Sequence, residues 1–152
     1  SFFFVISAAD TFNLTSLHQL ESWELISEPA FYLKHKKTNL KIHITSDFLA
    51  VINQSDIIIG LAGTANEQAI EIGNTVVCFP GFGPQTTLRR FEEQRKLVGE
   101  NLIVCKHRHV ENIAQTCIDH LQVSSRDFNK RSQNNDSAKS IIDLSMKHLE
   151  KT

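Results

Sequence analysis

Asp56-Ile-Ile-Ile-Gly60-Leu-Ala-Gly63-Thr64-Ala-Asn-Glu67-Gln68-Ala-Ile-Glu-Ile-Gly73-Asn-Thr-Val76-Val-Cys-Phe79-Pro-Gly81-Phe-Gly83-Pro-Gln85 is the stretch whose reading decides the fold. The apolar run Ile57 to Ile59 has the composition of a short strand buried on both faces, and Val76 to Phe79 repeats it. Between them, Gly60 to Gly63 breaks the first run and a helical pattern follows. Thr64 is the expected helix N-cap, Glu67 stands three residues on as its capping-box partner, and Gly73 takes the place of a left-handed C-terminal cap. The unit is strand, turn, helix, strand. A glycine-bearing turn at the carboxyl end of a parallel strand aims the free N–H groups of the following helix at one point, which suits a phosphate or diphosphate. Gly60 and Gly63 then allow a ligand close to the backbone.

Towards the N-terminus, Phe2-Phe3-Phe4-Val5-Ile6 reads as a buried strand. The run is too short to span a bilayer and has no basic region before it, so neither a membrane helix nor a signal peptide is indicated. A strand of this kind needs neighbours on both sides, so the expectation is a piece of a longer chain. Leu14, Leu17, Leu20 and Trp23 recur at helical spacing and predict an amphipathic helix. Phe31 and Leu33, then Leu40, Ile42 and Ile44, alternate with polar residues around Lys36-Lys37-Thr38-Asn39, which predicts a hairpin or sheet edge whose lysines guard against stray pairing. A short helix over Asp47 to Asn53 turns Phe48, Leu49 and Ile52 inward.

Beyond the central stretch, Thr86 to Gly99 reads as a helix with Leu88, Phe91, Leu97 and Val98 on its apolar side and Gly99 closing it. Leu102 to Cys105 is a further buried strand. Val110 to Leu121 is a helix with Val110, Ile113, Ala114, Cys117, Ile118 and Leu121 inward. Gln122 to Asp136 turns polar, as a surface helix or loop, and residues 136–150 carry a last helical stripe. Strands alternating with helices predict an α/β domain with a mainly parallel sheet, in which ligands sit outside the carboxyl ends of the strands. The loops at Gly60 to Thr64 and Pro80 to Gln85 follow successive strands and should share that edge. The second loop has two glycines for close approach, prolines for stiffness, and Gln85 with both a donor and an acceptor.

The 152 residues fit one domain, with 41% apolar and 22% charged residues, ordinary for a globular chain. A net charge of -1 selects neither nucleic acid nor an acidic membrane as partner. Cys78, Cys105 and Cys117 form an odd set without a C-x-x-C pair and read as buried reduced thiols. His107 and His109 flank Arg108 in a loop, but no third ligand stands at familiar metal spacing, and a polar loop is the simpler reading. A G-x-S-x-G elbow, a Walker-type loop and a complete G-x-G-x-x-G are all missing, which argues against hydrolase, P-loop kinase and dinucleotide dehydrogenase readings.

Ala62-Gly63-Thr64-Ala65-Asn66-Glu67-Gln68-Ala69, followed by Gly73 and Phe79-Pro80-Gly81-Phe82-Gly83-Pro84-Gln85, resembles the sugar-nucleotide half of GT-B glycosyltransferases, and most of all the family related to lipid-A-disaccharide synthase. The resemblance runs from Phe3 to about Ile113 and is specific over Gly60 to Gln85. It implies a three-layer Rossmann-like domain, one half of a two-domain enzyme, that binds a UDP-sugar without an organic cofactor or an obligatory metal. It implies a diphosphate contact around Gly60, Ala62, Gly63 and Thr64, ribose at Glu67 or Gln68, and the sugar near Gly81, Phe82, Gly83 and Gln85. The family glutamate that holds the ribose aligns with Gln68, one residue after Glu67, and the role stays between the two. Arg89, Arg90 and Gln94 on the next helix are solvated groups or a phosphate contact. The general base is expected in an N-terminal domain that precedes this sequence, and the acceptor is open. The implied setting is cytoplasmic, with peripheral membrane contact through the full-length protein. A UDP-N-acetylglucosamine 2-epimerase and a binding domain that has lost catalysis are the alternatives.

Overall fold

The computed structural model describes residues 3–9, 11–61 and 63–128. Ala62 and the helical stripe expected over residues 136–150 lie outside the described residues. The chain is α/β and falls into two compact units, divided between Gln54 and Ser55.

The first unit holds a four-stranded sheet in the order β1 (Phe4–Ser7), β4 (Lys41–Thr45), β3 (Tyr32–His35), β2 (Trp23–Ile26). β1 runs parallel to β4, while β3 is antiparallel to both β4 and β2. The hairpin expected around Lys36 to Asn39 is present. Its strands are not a sheet edge, because β4 is covered by β1 on one side and β3 by β2 on the other. The edges are β1 and β2. Hence the opening strand is not fully buried: Phe4 and Ile6 keep 43% and 38% of their surface exposed.

The amphipathic helix expected over Leu14 to Trp23 shrinks to a 3₁₀ helix, Leu14–Gln19, and Trp23 opens β2 instead. Asn13 caps that short helix by accepting from the Thr15 amide. Trp23, Leu25 and Ile26 pair across to β3, so β-favouring residues in a sheet outweigh a leucine spacing that would have had little to pack on. α1 (Phe48–Gln54) begins at Asp47, whose carboxylate accepts from the Ala50 amide. Its buried residues are Val51 and Ile52, and the expected inward Leu49 is 65% exposed.

The second unit is a parallel sheet, β5 (Ile58–Ile59), β6 (Val76–Cys78) and β7 (Leu102–Val104), with β6 central. β6 is wholly buried, as a central parallel strand must be. The edge strand β5 is not: Ile59 is 56% exposed, which corrects the reading of that run as buried on both faces. α2 (Gly63–Glu71) connects β5 to β6 and α3 (Leu88–Val98) connects β6 to β7. α4 (Val110–Phe128) follows β7, with Ile113 buried while Val110 and Ala114 face outward, contrary to the expected stripe. α3 is capped by the Thr87 hydroxyl, which accepts from the Arg90 amide, and closed by Gly99 at φ 87°. Phe91 is its anchor at 2% exposure, whereas Leu97 lies outside.

Two outcomes follow for stability. Phe91→Ala should lower the urea-unfolding free energy by about 3–5 kcal/mol, the range for an emptied aromatic site. In the first unit, His43 lies between Phe3 and Tyr32, and burial, with Lys41 nearby, holds its pKa below 6.5. Folding therefore favours the neutral ring, so this contribution is complete above that value and is lost as the pH falls through the lowered folded value. The urea midpoint should drop between about pH 7.5 and about pH 5, and drop less in His43→Phe.

Candidate functional site

Because β5, β6 and β7 are parallel and adjacent, the loops that leave their carboxyl ends share one edge of the sheet. These are the turn into α2, residues 79–87 into α3, and residues 105–109 into α4. Both glycine-bearing loops picked out in the sequence are therefore neighbours on this edge.

The turn into α2 is built around a buried amide. Asn66 is 1% exposed and its side chain occupies the space over Gly60, where an added Cβ would overlap Asn66 Oδ1 and crowd Val76. Gly60 is thus required by Asn66 inside the fold, which is a packing reason distinct from ligand approach. Asn66 Nδ2 has no hydrogen-bond partner among the described residues. An unpaired buried amide of this kind costs about 1–3 kcal/mol.

The helix starts two residues earlier than a Thr64 cap would place it. Gly63 is its first residue, so Thr64 sits inside the first turn and is not the cap. Glu67 does not close a capping box: its Oε1 accepts from Gln94 Nε2 at 2.9 Å. The same amide nitrogen donates to the Gly63 carbonyl at 2.9 Å, so one buried side chain from α3 clasps the first turn of α2. Gly63, Thr64, Glu67 and Gln68 are all exposed. At the other end the expected cap is present. Gly73 at φ 96° donates to the Ile70 carbonyl and Asn74 donates to Ala69, the paired bonds of a Schellman motif.

The second loop closes on Thr86. Its carbonyl accepts from the Gly81 amide at 2.8 Å, and its hydroxyl accepts from the Gly83 amide at 3.1 Å while donating to the Gly83 carbonyl at 3.0 Å. A Cβ on Gly81 would come within 2.6 Å of that hydroxyl. The turn consequently carries Phe82 outward, 91% exposed, with the Arg108 guanidinium 3.8 Å over its ring. Gln85 accepts from Arg90 Nη1 and so folds back onto α3, while Arg89 pairs with Glu93 at 2.9 Å. Neither arginine reaches the turn into α2 in this arrangement.

His107 and His109 stand with ring centroids 5.9 Å apart in the third loop, and among the described residues no group of three His, Cys, Asp or Glu could hold a metal ion. Cys78, Cys105 and Cys117 are free thiols, the first two buried. Burial, with Cys105 nearby, pushes the Cys78 thiol up to about 12. Such a thiol is no nucleophile at neutral pH. Among the described residues no helix is long and apolar enough to cross a membrane.

The roles of Asn66 and Thr86 are not evident in the sequence, and Gln94, expected as a solvated group or a phosphate contact, instead bonds Gly63 and Glu67. The signal for Gln94 was available: it shares a helical stripe with Phe91 and Val98, where a polar residue must find partners. No protein-family model, curated protein or solved structure matches the chain.

The Gly60 and Asn66 contact makes a testable pair. Gly60→Ala should destabilise the protein by about 1–3 kcal/mol through overpacking. In Gly60→Ala/Asn66→Ala most of that loss should vanish, and a urea-denaturation double-mutant cycle would read the coupling.

Proposed function

We propose that this chain is the nucleotide-sugar-binding half of a GT-B-type glycosyltransferase, with a UDP-sugar as donor. One observation carries the reading: adjacent parallel strands deliver the exposed first turn of α2 and the Thr86-closed glycine and proline loop to the same sheet edge. Among the described residues no side chain accepts from the amides of Gly63, Thr64 or Ala65, so the first turn keeps donors for an anion. In the proposed complex the diphosphate lies against Gly63 and Thr64, the ribose beside Glu67 or Gln68, and the sugar along Gly81 to Gln85.

Transfer would then rest on positioning the donor and on fixed N–H dipoles that meet the charge developing on the departing UDP. The base that activates the acceptor is assigned to the other half of the enzyme. On this reading the protein works in the cytoplasm, where UDP-sugars are held, and peripheral contact with a membrane belongs to the complete enzyme. A binding domain without transfer activity is the second reading. It is favoured by the neutral Gln68 at the position where the resembled family carries its ribose-holding glutamate.

Calorimetric titration of the chain with UDP tests the proposal, with saturable binding expected. A Cβ at Gly63 would meet Gln94 Nε2 only at 3.7 Å, an ordinary contact, so the backbone there accepts a side chain, and circular dichroism checks that the variant is folded. Gly63→Leu should nevertheless abolish UDP binding by filling the space in front of the first turn. Unchanged affinity in that variant, or no binding by the parent chain at millimolar UDP, would remove the basis for the assignment. With the complete enzyme, release of UDP together with a glycoside separates a transferase from an epimerase or a non-catalytic binder.

A further inference from the structure

The Gln94 clasp joins two segments that the chain keeps far apart. Gln94 lies on α3, whose start carries the Thr86-closed loop, and both hydrogens of its amide are spent on the first turn of α2. Its side chain is nearly buried at 9% residue exposure, so its orientation is fixed by those two acceptors and not by solvent. Gly63 and Glu67 are four residues apart, on one face of α2, and the amide bridges them. Glu67 itself is exposed. One of its oxygens is held by Gln94, and the other oxygen and the remaining lone pairs of this exposed side chain stay able to accept. The Gln68 side chain has no such support and no hydrogen-bond partner among the described residues.

From this we infer that Gln94 is a positioning residue: it presents the Glu67 carboxylate, and not the Gln68 amide, as the group that accepts hydroxyl hydrogens from a bound ligand. The inference rests on the nucleotide-sugar reading above and deepens it, since it assigns the reading of the ribose hydroxyls to one residue and its orientation to another. A carboxylate locked at one oxygen accepts with little further loss of side-chain freedom, whereas a free glutamine must be ordered by the ligand. The clasp also ties the spacing of the two loops to one hydrogen-bonded side chain.

The experiment compares UDP with 2′-deoxy-UDP by titration calorimetry, in the parent chain and in Glu67→Gln, Gln94→Met, Gln94→Glu and Gln68→Leu. Hydrogen bonds to a charged group predict that the parent prefers UDP by roughly 10-fold or more. The preference should fall to within about 3-fold in Glu67→Gln, where a neutral acceptor replaces the carboxylate, and in Gln94→Met, which keeps the length and packing of the side chain but cannot donate. Gln94→Glu removes the donor in a polar side chain and should lose the preference in the same way. Gln68→Leu should retain it. A merely structural role for Gln94 would weaken both nucleotides equally and leave their ratio alone, and circular dichroism reports whether each variant is folded. UDP binding with an unchanged ratio in the Glu67 and Gln94 variants, or a ratio lost in Gln68→Leu, overturns this inference alone. No UDP binding by the parent chain overturns both it and the reading on which it rests.

Discussion

Parallel pairing of β5, β6 and β7 is the constraint from which the rest of the second unit follows. A parallel strand can be reached only by a crossover, so each strand is followed by a loop at its carboxyl end and a helix that returns the chain. With β6 in the centre, every one of those loops is delivered to the same rim. The wholly buried Val76, Val77 and Cys78 supply the apolar contacts that hold the three strands together. Chemistry at this rim is therefore a consequence of topology before it is a matter of any side chain.

Buried polar side chains then give the rim its detail. Asn66 fills the space that Gly60 leaves open, and Gln94 spans from α3 to the start of α2. Inside a low-dielectric interior such groups are worth most when every donor is used and cost most when one is not. Gln94 is the first case at its nitrogen and Asn66 the second at Nδ2. The two amides thus mark opposite states: one is a completed clasp, the other a polar atom that the fold retains without a protein partner among the described residues. Thr86 does by hydrogen bonding in the neighbouring loop what Gln94 does between helices, using its carbonyl and its hydroxyl to hold Gly81 and Gly83. Phe82 is exposed as a result, because a turn closed on Thr86 has no interior in which to put a ring.

The first unit shows the same chain meeting a different requirement. Its mixed sheet places the hairpin strands β3 and β4 inside and leaves the phenylalanine-rich opening strand at an edge. There the apolar side chains are shared between the sheet and aromatic contacts, such as the stack of Phe3 on His43 at 5.0 Å. Edge position, not hydrophobicity, decides how much of Phe4 and Ile6 is covered.

By itself the sequence determined the elements whose signal is local. The buried run at Val76 to Cys78, the hairpin over residues 32–45, the Gly73 terminator and the helix closed by Gly99 all follow from periodicity and from residues that alone suit a given backbone angle. It also placed two glycine-bearing loops after successive strands, and with them the edge on which a site would lie. Tertiary structure decided what depends on partners distant in the chain: Trp23 became a strand because β3 was there to pair with it, and Leu49, Leu97 and Val110 turned outward. Likewise Glu67 was withdrawn from a cap by an amide 27 residues away. Local patterns record what a residue prefers, while the energy of a buried hydrogen bond or a sheet contact exists only once the other half has been brought to it.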